Sequence, residues 1–399
     1  MKVLVVDDSE DILSLLCMIL ENWGYEVIAA SDGQEAWEIV QRGGIQLVIS
    51  DWLMPRMDGV EFCHRVRSTS FDHYIYLILL TSLSDTTALV KGLNAGANDF
   101  MVKPFQPEEL QVRIRAGERV LALERQLEER NRRLADTYQM IERDLQSAAD
   151  LQKSLLPAPA TLQNVSWEWL FRPSHYVAGD VFDYFSLDES HLGFYQLDVA
   201  GHGIPSALMS FTLTKVMAQG AKWGGLLKRA TDSPPYYKIV SPELVVRELN
   251  QRFEPKNDDR LLYFTIAYGV IDTRAHCLTL CQAGHPSPLW LKRAGGAVEA
   301  VGQGGFPVGM FPAVEYEVIH LDLQKGDRMF VYSDGVTDCE SKSGELFSVA
   351  RLREMLTAAA DQPLLTTVKT LGEALREWKG DEHYQDDITL LAFEYGANS

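Results

Sequence analysis

Between Glu118 and Leu156 the chain contains neither glycine nor proline, while Glu, Arg, Gln, Leu and Ala dominate. Those residues favour helix, and the residues that normally end one are missing. The stretch predicts one continuous helix, far longer than a helix that packs within a small domain. A body must therefore lie before it and another after it. Apolar residues recur along it every seven positions, at Val120, Leu127, Leu134, Ile141, Ala148 and Leu155, with Leu123 and Leu151 in the companion seam near the two ends. The middle of that seam carries Arg130, Thr137 and Asp144, while Tyr138 and Leu145 shift the stripe sideways. A solvated connector and a parallel dimeric coiled coil both fit; the expectation is a homodimer through residues 118–156.

The length of 399 residues agrees with this division, because single cores stop growing at roughly 250–300 residues. Residues 1–118 are expected as one domain, 119–156 as a helical linker and 157–399 as a second domain. A net charge of −19 opposes a sequence-independent hold on nucleic acid, which needs clustered Lys and Arg. Met1 leads straight into the strand-like run Lys2–Val6, and no apolar stretch approaches the ~20 residues of a membrane span. The expectation is a cytoplasmic protein with neither nucleic acid nor membrane as partner. The five cysteines, Cys17, Cys63, Cys277, Cys281 and Cys339, are odd in number and scattered, which suits reduced thiols, and Cys277 and Cys281 lack the close Cys/His pairs of a zinc site.

From Lys2 to about Gly117, short apolar runs (3–6, 27–30, 47–49, 75–80 and 99–102) alternate with helical patterns. Continuous apolar strands separated by helices predict a parallel, doubly wound α/β sheet, with the functional site at the carboxyl ends of its strands. Asp7 and Asp8 follow the first strand, Asp51 ends the third, Thr81 follows the fourth and Lys103 ends the fifth, so all five converge on one rim. Carboxylates there suit Mg²⁺, which prefers oxygen ligands. Asp51 would be the nucleophile toward a phosphoryl group, whose oxygens Thr81 and Lys103 would neutralise.

These residues, together with Asp51-Trp52-Leu53-Met54-Pro55-Arg56-Met57-Asp58-Gly59, Thr81-Ser82 and Lys103-Pro104-Phe105, resemble a two-component receiver domain over residues 1 to about 118. The resemblance implies that Asp51 accepts a phosphoryl group from a histidine kinase or phosphotransfer protein. It implies Mg²⁺ on Asp8, Asp51 and the Leu53 carbonyl, with Asp7 assisting. Thr81 and Phe100 then occupy the switch positions, and the Lys103–Pro104 peptide is cis. Taken singly, Asp58, Thr81 and Phe100 read as ordinary turn, cap or core residues; the ordered set is what distinguishes them.

After about Thr161, β-rich segments (193–199, 261–271, 278–282, 328–332 and 388–393) interleave with helical ones (205–218, 242–253 and 349–359), while 222–237 has no clear pattern. Aspartates again sit beside glycines. They occur in Ala178-Gly179-Asp180-Val181-Phe182-Asp183 and in Leu197-Asp198-Val199-Ala200-Gly201-His202-Gly203. They recur in Ser333-Asp334-Gly335-Val336-Thr337-Asp338 and in Gln385-Asp386-Asp387-Ile388-Thr389. Acids from distant segments with no Cys nearby predict hard-metal coordination, Mg²⁺ or Mn²⁺ rather than zinc. Two such ions about 3.5–4 Å apart would activate a water for in-line attack on a phosphoryl group, with no protein nucleophile.

The order of these motifs, with Leu151-Gln152-Lys153-Ser154-Leu155-Leu156-Pro157 and Ala283-Gly284-His285-Pro286, resembles the metal-dependent Ser/Thr phosphatases of the protein phosphatase 2C type. The likeness is to the bacterial branch that dephosphorylates anti-sigma-factor antagonists, and it covers about residues 150–395. It implies an α/β sandwich in which Asp198 bridges two Mn²⁺ or Mg²⁺ ions and the Val199 carbonyl completes one of them. Asp334 and Asp387 would hold the second, Asp180 would support the first, and Asp183 would be an extra ligand. The chain departs mildly from the family in having Ala178 where Gly is commoner and Asp338 where Glu is common. His202 reads either as a general acid or as a loop support, and His285 as ordering its loop. Trp167, Trp169, Trp223 and Trp290 read as packing residues rather than a base-stacking platform. Together the motifs predict a response regulator whose output is a phosphatase acting on a phosphorylated anti-sigma-factor antagonist. A non-catalytic adaptor that binds a sigma factor or its regulator is the alternative. A diguanylate cyclase is a third reading, from a superficial likeness at Ala178-Gly179-Asp180, and it leaves the Asp198 and Asp386-Asp387 motifs unexplained.

Overall fold

A computed structural model describes residues 1–82, 86–201, 203–220, 225–254, 263–381 and 383–397, and for 86–89 the backbone alone. It divides into two compact units, Met1–Met140 and Ile141–Ser399.

In the first unit β1 (Lys2–Val6), β2 (Glu26–Ala30), β3 (Leu47–Asp51), β4 (Tyr76–Thr81) and β5 (Asp99–Val102) form one parallel sheet in the order β2-β1-β3-β4-β5. Helices α1 (Glu10–Asn22), α2 (Gly33–Gln41), α3 (Gly59–Arg67) and α4 (Thr86–Asn94) connect the strands. Both faces are covered. Val3, Val5, Leu47 and Ile49 pack with Leu16, Leu110 and Ile114, while Leu4, Val6 and Val48 pack with Phe62 and Val66. Two buried faces explain why these strands read as unbroken apolar runs rather than alternations.

The long helix α5 runs Pro107–Ser154, so the last helix of the sheet and the expected connector are a single element. Gly117, which looks like a break, lies where an added Cβ would meet the Tyr76 ring at 2.7 Å; it allows close approach and does not stop the helix. Leu110, Ile114 and Leu121 are buried in the first unit and Val120 packs beside them. Further on, Leu127, Leu134, Ile141 and Leu155 are each half exposed or more.

The second unit stacks two antiparallel sheets. One contains β8 (Val181–Ser186), β9 (His191–Val199), β12 (Phe264–Asp272), β13 (Cys277–Ala283) and β16 (Val318–Asp322), in the order β16-β13-β12-β9-β8. The other contains β6 (Thr161–Leu162), β7 (Val165–Arg172), β14 (Leu289–Leu291), β15 (Val298–Ala300), β17 (Arg328–Tyr332) and β18 (Ile388–Tyr395), in the order β15-β14-β17-β18-β7-β6. Trp167, Phe393, Phe194, Ile271 and Val331 form the core shared by the two sheets. Outside the first sheet lie α6 (Ile204–Gly220) and α7 (Pro242–Arg252), against Leu197, Tyr268 and Cys281. Outside the second lie α9 (Ser348–Ala358) and α10 (Leu364–Lys379), against Phe330, Leu390 and Leu170. The one-turn helix α8 (Asp334–Thr337) follows β17, and a small hairpin of β10 (Lys228–Ala230) and β11 (Tyr237–Ile239) occupies part of the stretch that lacked a pattern. His202 and Trp223 lie outside the described residues. The cysteines are free, with Cys63, Cys281 and Cys339 buried, and among the described residues no helix is long and apolar enough to cross a membrane.

Candidate functional site

In the first unit the parallel sheet delivers its acids to one rim, as strand direction requires. Carboxylate oxygens of Asp7, Asp8 and Asp51 lie within 4.8 Å of one another, a spacing that suits one hard cation. The Lys103 ammonium donates to Asp7 Oδ2 at 2.6 Å and lies 2.8 Å from Asp51 Oδ1. Burial alone would lower the Lys103 ammonium, but its bonds to Asp51 and Asp7 outweigh that and raise it. Burial raises the Asp51 carboxyl against the pull of Lys103, with the charge of Asp7 adding to the rise. Thr81 is fully buried at the end of β4, and its carbonyl accepts the Lys103 N–H at 2.7 Å. The Lys103–Pro104 peptide is cis. Asp58 caps α3 by accepting the Glu61 N–H at 2.7 Å. Gly59 is required where it stands, because a Cβ would meet the Asp51 carbonyl at 2.2 Å. Phe100 is half buried, with the Arg113 guanidinium 5.9 Å from its ring centre, and Leu53 is exposed beside the rim.

In the second unit Asp198 is next to last in β9, Asp334 opens α8 after β17, and Asp180 precedes β8. Burial, then the charges of Asp334, Asp386 and Asp387, push the Asp198 carboxyl to about 7. Burial, then Asp198 and Asp387, hold Asp180 well above the usual carboxylate range, and burial, then Asp386 and Asp338, raise Asp334. Burial and mutual repulsion thus dominate all three, a condition that a bound cation relieves. Asp180 Oδ2 is buried with no hydrogen-bond partner among the described residues. Gly179 leaves a gap that a Cβ would fill, 3.1 Å from the Val199 carbonyl and 3.5 Å from that of Gly201. The donor set therefore fits hard cations. It is gathered more loosely than in the first unit: among the described residues, only Asp7, Asp8 and Asp51 bring three such atoms within 4.8 Å.

Two expected ligands sit differently from the expectation. Asp387 is turned into the protein: Oδ1 accepts the Ser174 N–H at 2.7 Å and its hydroxyl at 2.9 Å, while Oδ2 accepts the Gly179 N–H at 2.7 Å. Its neighbour Asp386 is the residue whose charge raises both Asp198 and Asp334. Asp387 also lies close enough for its charge to raise Asp198 and Asp180, so both acids stand beside the cluster and differ in what their oxygens bond. Asp183 shares a strand face with Val181 and lies opposite Tyr195, on the α6 side of the sheet. Its carboxyl is raised by burial to about 6, opposed by the Tyr184 N–H at 2.8 Å. That face points away from the other acids, so Asp183 does not join them.

His285 is buried, and burial lowers its imidazole to about 3. Nδ1 lies 2.9 Å from the Thr265 hydroxyl, and Thr265 pairs with Asp198 across the strands. His285 therefore braces the strand beside Asp198, and its carbonyl accepts from Gln282 Nε2 at 2.5 Å.

A parallel five-stranded unit with an acidic rim, followed by a two-sheet sandwich with clustered acids, defines a receiver domain joined to a phosphatase-type domain. The chain belongs to the Stage II sporulation protein E (SpoIIE) family, which matches residues 188–396, and the response regulator receiver domain family matches residues 3–115. It is 27% identical over 252 residues to the phosphoserine phosphatase RsbP of Bacillus subtilis, covering 62% of this chain and 57% of RsbP. Over 115 residues it is 44% identical to the probable transcriptional regulator ycf27 of Porphyridium aerugineum, covering 29% of this chain and 47% of that protein. The chain thus spans about half the length of the curated relatives it matches. The SiaA-PP2C domain of Pseudomonas aeruginosa shares the fold of the second unit, with a TM-score of 0.55 at 22% identity over 65% of this chain and 99% of that domain.

Proposed function

We propose that this chain is a response regulator whose receiver, residues 1–118, controls a metal-dependent protein serine/threonine phosphatase in residues 157–399 through the helical linker 119–156. The carrying observation is that Asp198 feels the charges of Asp334, Asp386 and Asp387 and contacts Asp180, with burial and like charge raising the carboxyls of Asp180, Asp198 and Asp334. In this reading Asp180, Asp198, the Val199 carbonyl, Asp334 and Asp386 would hold Mn²⁺ or Mg²⁺ ions. When bound, the ions supply an activated water and neutralise phosphoryl oxygens. Asp387 acts from behind, its oxygens fixing Ser174 and Gly179 so that Asp180 is presented in one conformation. His285 and Thr265 brace the strand that carries Asp198.

In the receiver, Asp51 takes the phosphoryl group from a histidine kinase or phosphotransfer protein. Asp7, Asp8, Asp51 and the Leu53 carbonyl hold one Mg²⁺, Lys103 and Thr81 meet the phosphoryl oxygens, and Phe100 follows Thr81. The likeness to the phosphoserine phosphatase RsbP supports a phosphoserine substrate, the motif resemblance to the anti-sigma-antagonist branch extends this to a phosphorylated anti-sigma-factor antagonist, and the exposed stripe of Leu127, Leu134 and Ile141 supports a homodimer. Hydrolysis of p-nitrophenyl phosphate and of phosphorylated antagonist proteins with Mn²⁺ tests the activity. The expected result is turnover in the wild type and in Asp51→Ala, and a loss of at least ~100-fold in Asp198→Ala. No Mn²⁺-dependent turnover in the wild type would instead favour the adaptor reading.

A further inference from the structure

The last turns of α5 reverse the usual burial order. Leu151 and Leu155 are 60% and 55% exposed, whereas Gln152 between them is 4% exposed. A polar residue buried next to exposed leucines is held by hydrogen bonding rather than by the hydrophobic effect. Both ends of its amide are used on a single backbone unit: Gln152 Nε2 donates to the Ala178 carbonyl at 2.9 Å, and the Ala178 N–H donates to Gln152 Oε1 at 2.9 Å. The side chain thus pairs with Ala178 as a neighbouring strand would.

Ala178 adjoins the segment that carries Asp180. The next N–H, of Gly179, donates to Asp387 Oδ2 at 2.7 Å, and the Gly179 carbonyl accepts from the Ser210 hydroxyl on α6. A Cβ at Gly179 would press on the Val199 carbonyl at 3.1 Å, and Asp180 follows with Oδ2 buried and without a hydrogen-bond partner among the described residues. A second tie reaches the same segment from α5, where the Tyr176 hydroxyl donates to Glu142 Oε1 at 3.2 Å. Glu142 and Gln152 thus grip residues 176–178 from the helix that also contains Leu134 and Leu127.

We infer that Gln152 is a positioning residue for the metal site: its paired hydrogen bonds to Ala178 fix Gly179 and Asp180, so that the end of α5 sets the affinity of the site for its ions. The inference rests on the metal-phosphatase reading and deepens it by naming the contact through which the helix acts. A displacement of α5 by a fraction of an ångström breaks or bends two buried hydrogen bonds, and the backbone that carries Asp180 moves with them.

The test uses the full chain with Asp8→Asn, which removes the receiver's metal site, and measures Mn²⁺ binding by calorimetry alongside hydrogen exchange of the 176–180 segment. Gln152→Met keeps the side chain's length and loses both hydrogen bonds; Gln152→Glu keeps the acceptor; Gln146→Met, on the exposed side of the same helix, is the control. The expected result is about tenfold weaker Mn²⁺ binding in Gln152→Met, the loss of about one net hydrogen bond. Exchange at 176–180 should be faster while β9 and β12 exchange as in the wild type, turnover at saturating Mn²⁺ should stay within about twofold, and the control should be unchanged. Wild-type affinity in both Gln152 variants, or accelerated exchange across the whole sandwich, would overturn the inference. If the wild type shows no Mn²⁺ binding that Asp198→Ala removes, the phosphatase reading itself fails, an outcome distinct from equal binding by wild type and variant.

Discussion

At the scale of single residues, the two adjacent acids Asp386 and Asp387 both add charge to the cluster but differ in their bonds. Asp387 spends its oxygens on Ser174 and Gly179, and among the described residues Asp386 makes no such tie to the Gly179 segment. Asp386→Asn should therefore abolish Mn²⁺-dependent hydrolysis while leaving the metal-free protein as stable as the wild type or more so, because a like-charge repulsion is removed. Asp387→Asn turns an amide N–H toward backbone donors and should cost about 1–3 kcal/mol in denaturant unfolding. Equal destabilisation by the two substitutions would contradict this division. The sequence made the acids legible because they sit at strand ends, with a glycine beside Asp180 and Asp334. It did not separate Asp386 from Asp387, since which of two neighbours faces inward depends on the register of β18. Gln152 was hidden for a related reason: in a helix with a seven-residue apolar repeat, a Gln between leucines reads as the solvent face.

At the scale of elements, the strand ends and the long helix were readable from composition and periodicity. Gly117 misplaced the start of the helix because a glycine used for close approach to Tyr76 looks the same as one that ends a helix. β7 escaped notice although Val165, Trp167, Trp169 and Phe171 alternate along it toward the shared core, a period-two signal that two tryptophans and a charged residue obscured. The stripe on α5 makes a prediction of its own: Leu134→Asp should shift the protein from dimer toward monomer in light scattering, and an unchanged mass would remove the coiled-coil dimer. A second prediction concerns the turn between β8 and β9. Burial opposes it, but the Ser190 N–H, His191 and the Tyr237 hydroxyl at 3.0 Å outweigh burial and bring the Asp188 carboxyl down to about 2. A folded value below the unfolded value of about 3.9 adds stability above that pH, and the stability is lost as pH falls toward 2. Urea unfolding should thus separate wild type from Asp188→Asn by about 2 kcal/mol at pH 5.5 and by about half of that at pH 3. A gap that does not narrow would rule out the ionised carboxylate as the source.

At the scale of the whole molecule, two acidic sites of different construction share one chain. The first gathers three carboxylates and a lysine at a sheet rim, suited to receiving a phosphoryl group. The second sets mutually repelling carboxylates near one another, Asp180 buried and Asp334 and Asp386 exposed, a donor set that fits hard cations. Helix α5 belongs to both units in sequence, with Leu110 and Ile114 in the core of the first and Gln152, in its last turn, bonded to Ala178 in the second. The central claim is that the state of Asp51 governs the second site. The most direct measurement is phosphatase turnover with and without beryllofluoride, in the wild type and in Asp51→Asn. The account predicts a change in wild-type turnover on adding beryllofluoride and none in Asp51→Asn; identical turnover in all four conditions would contradict it.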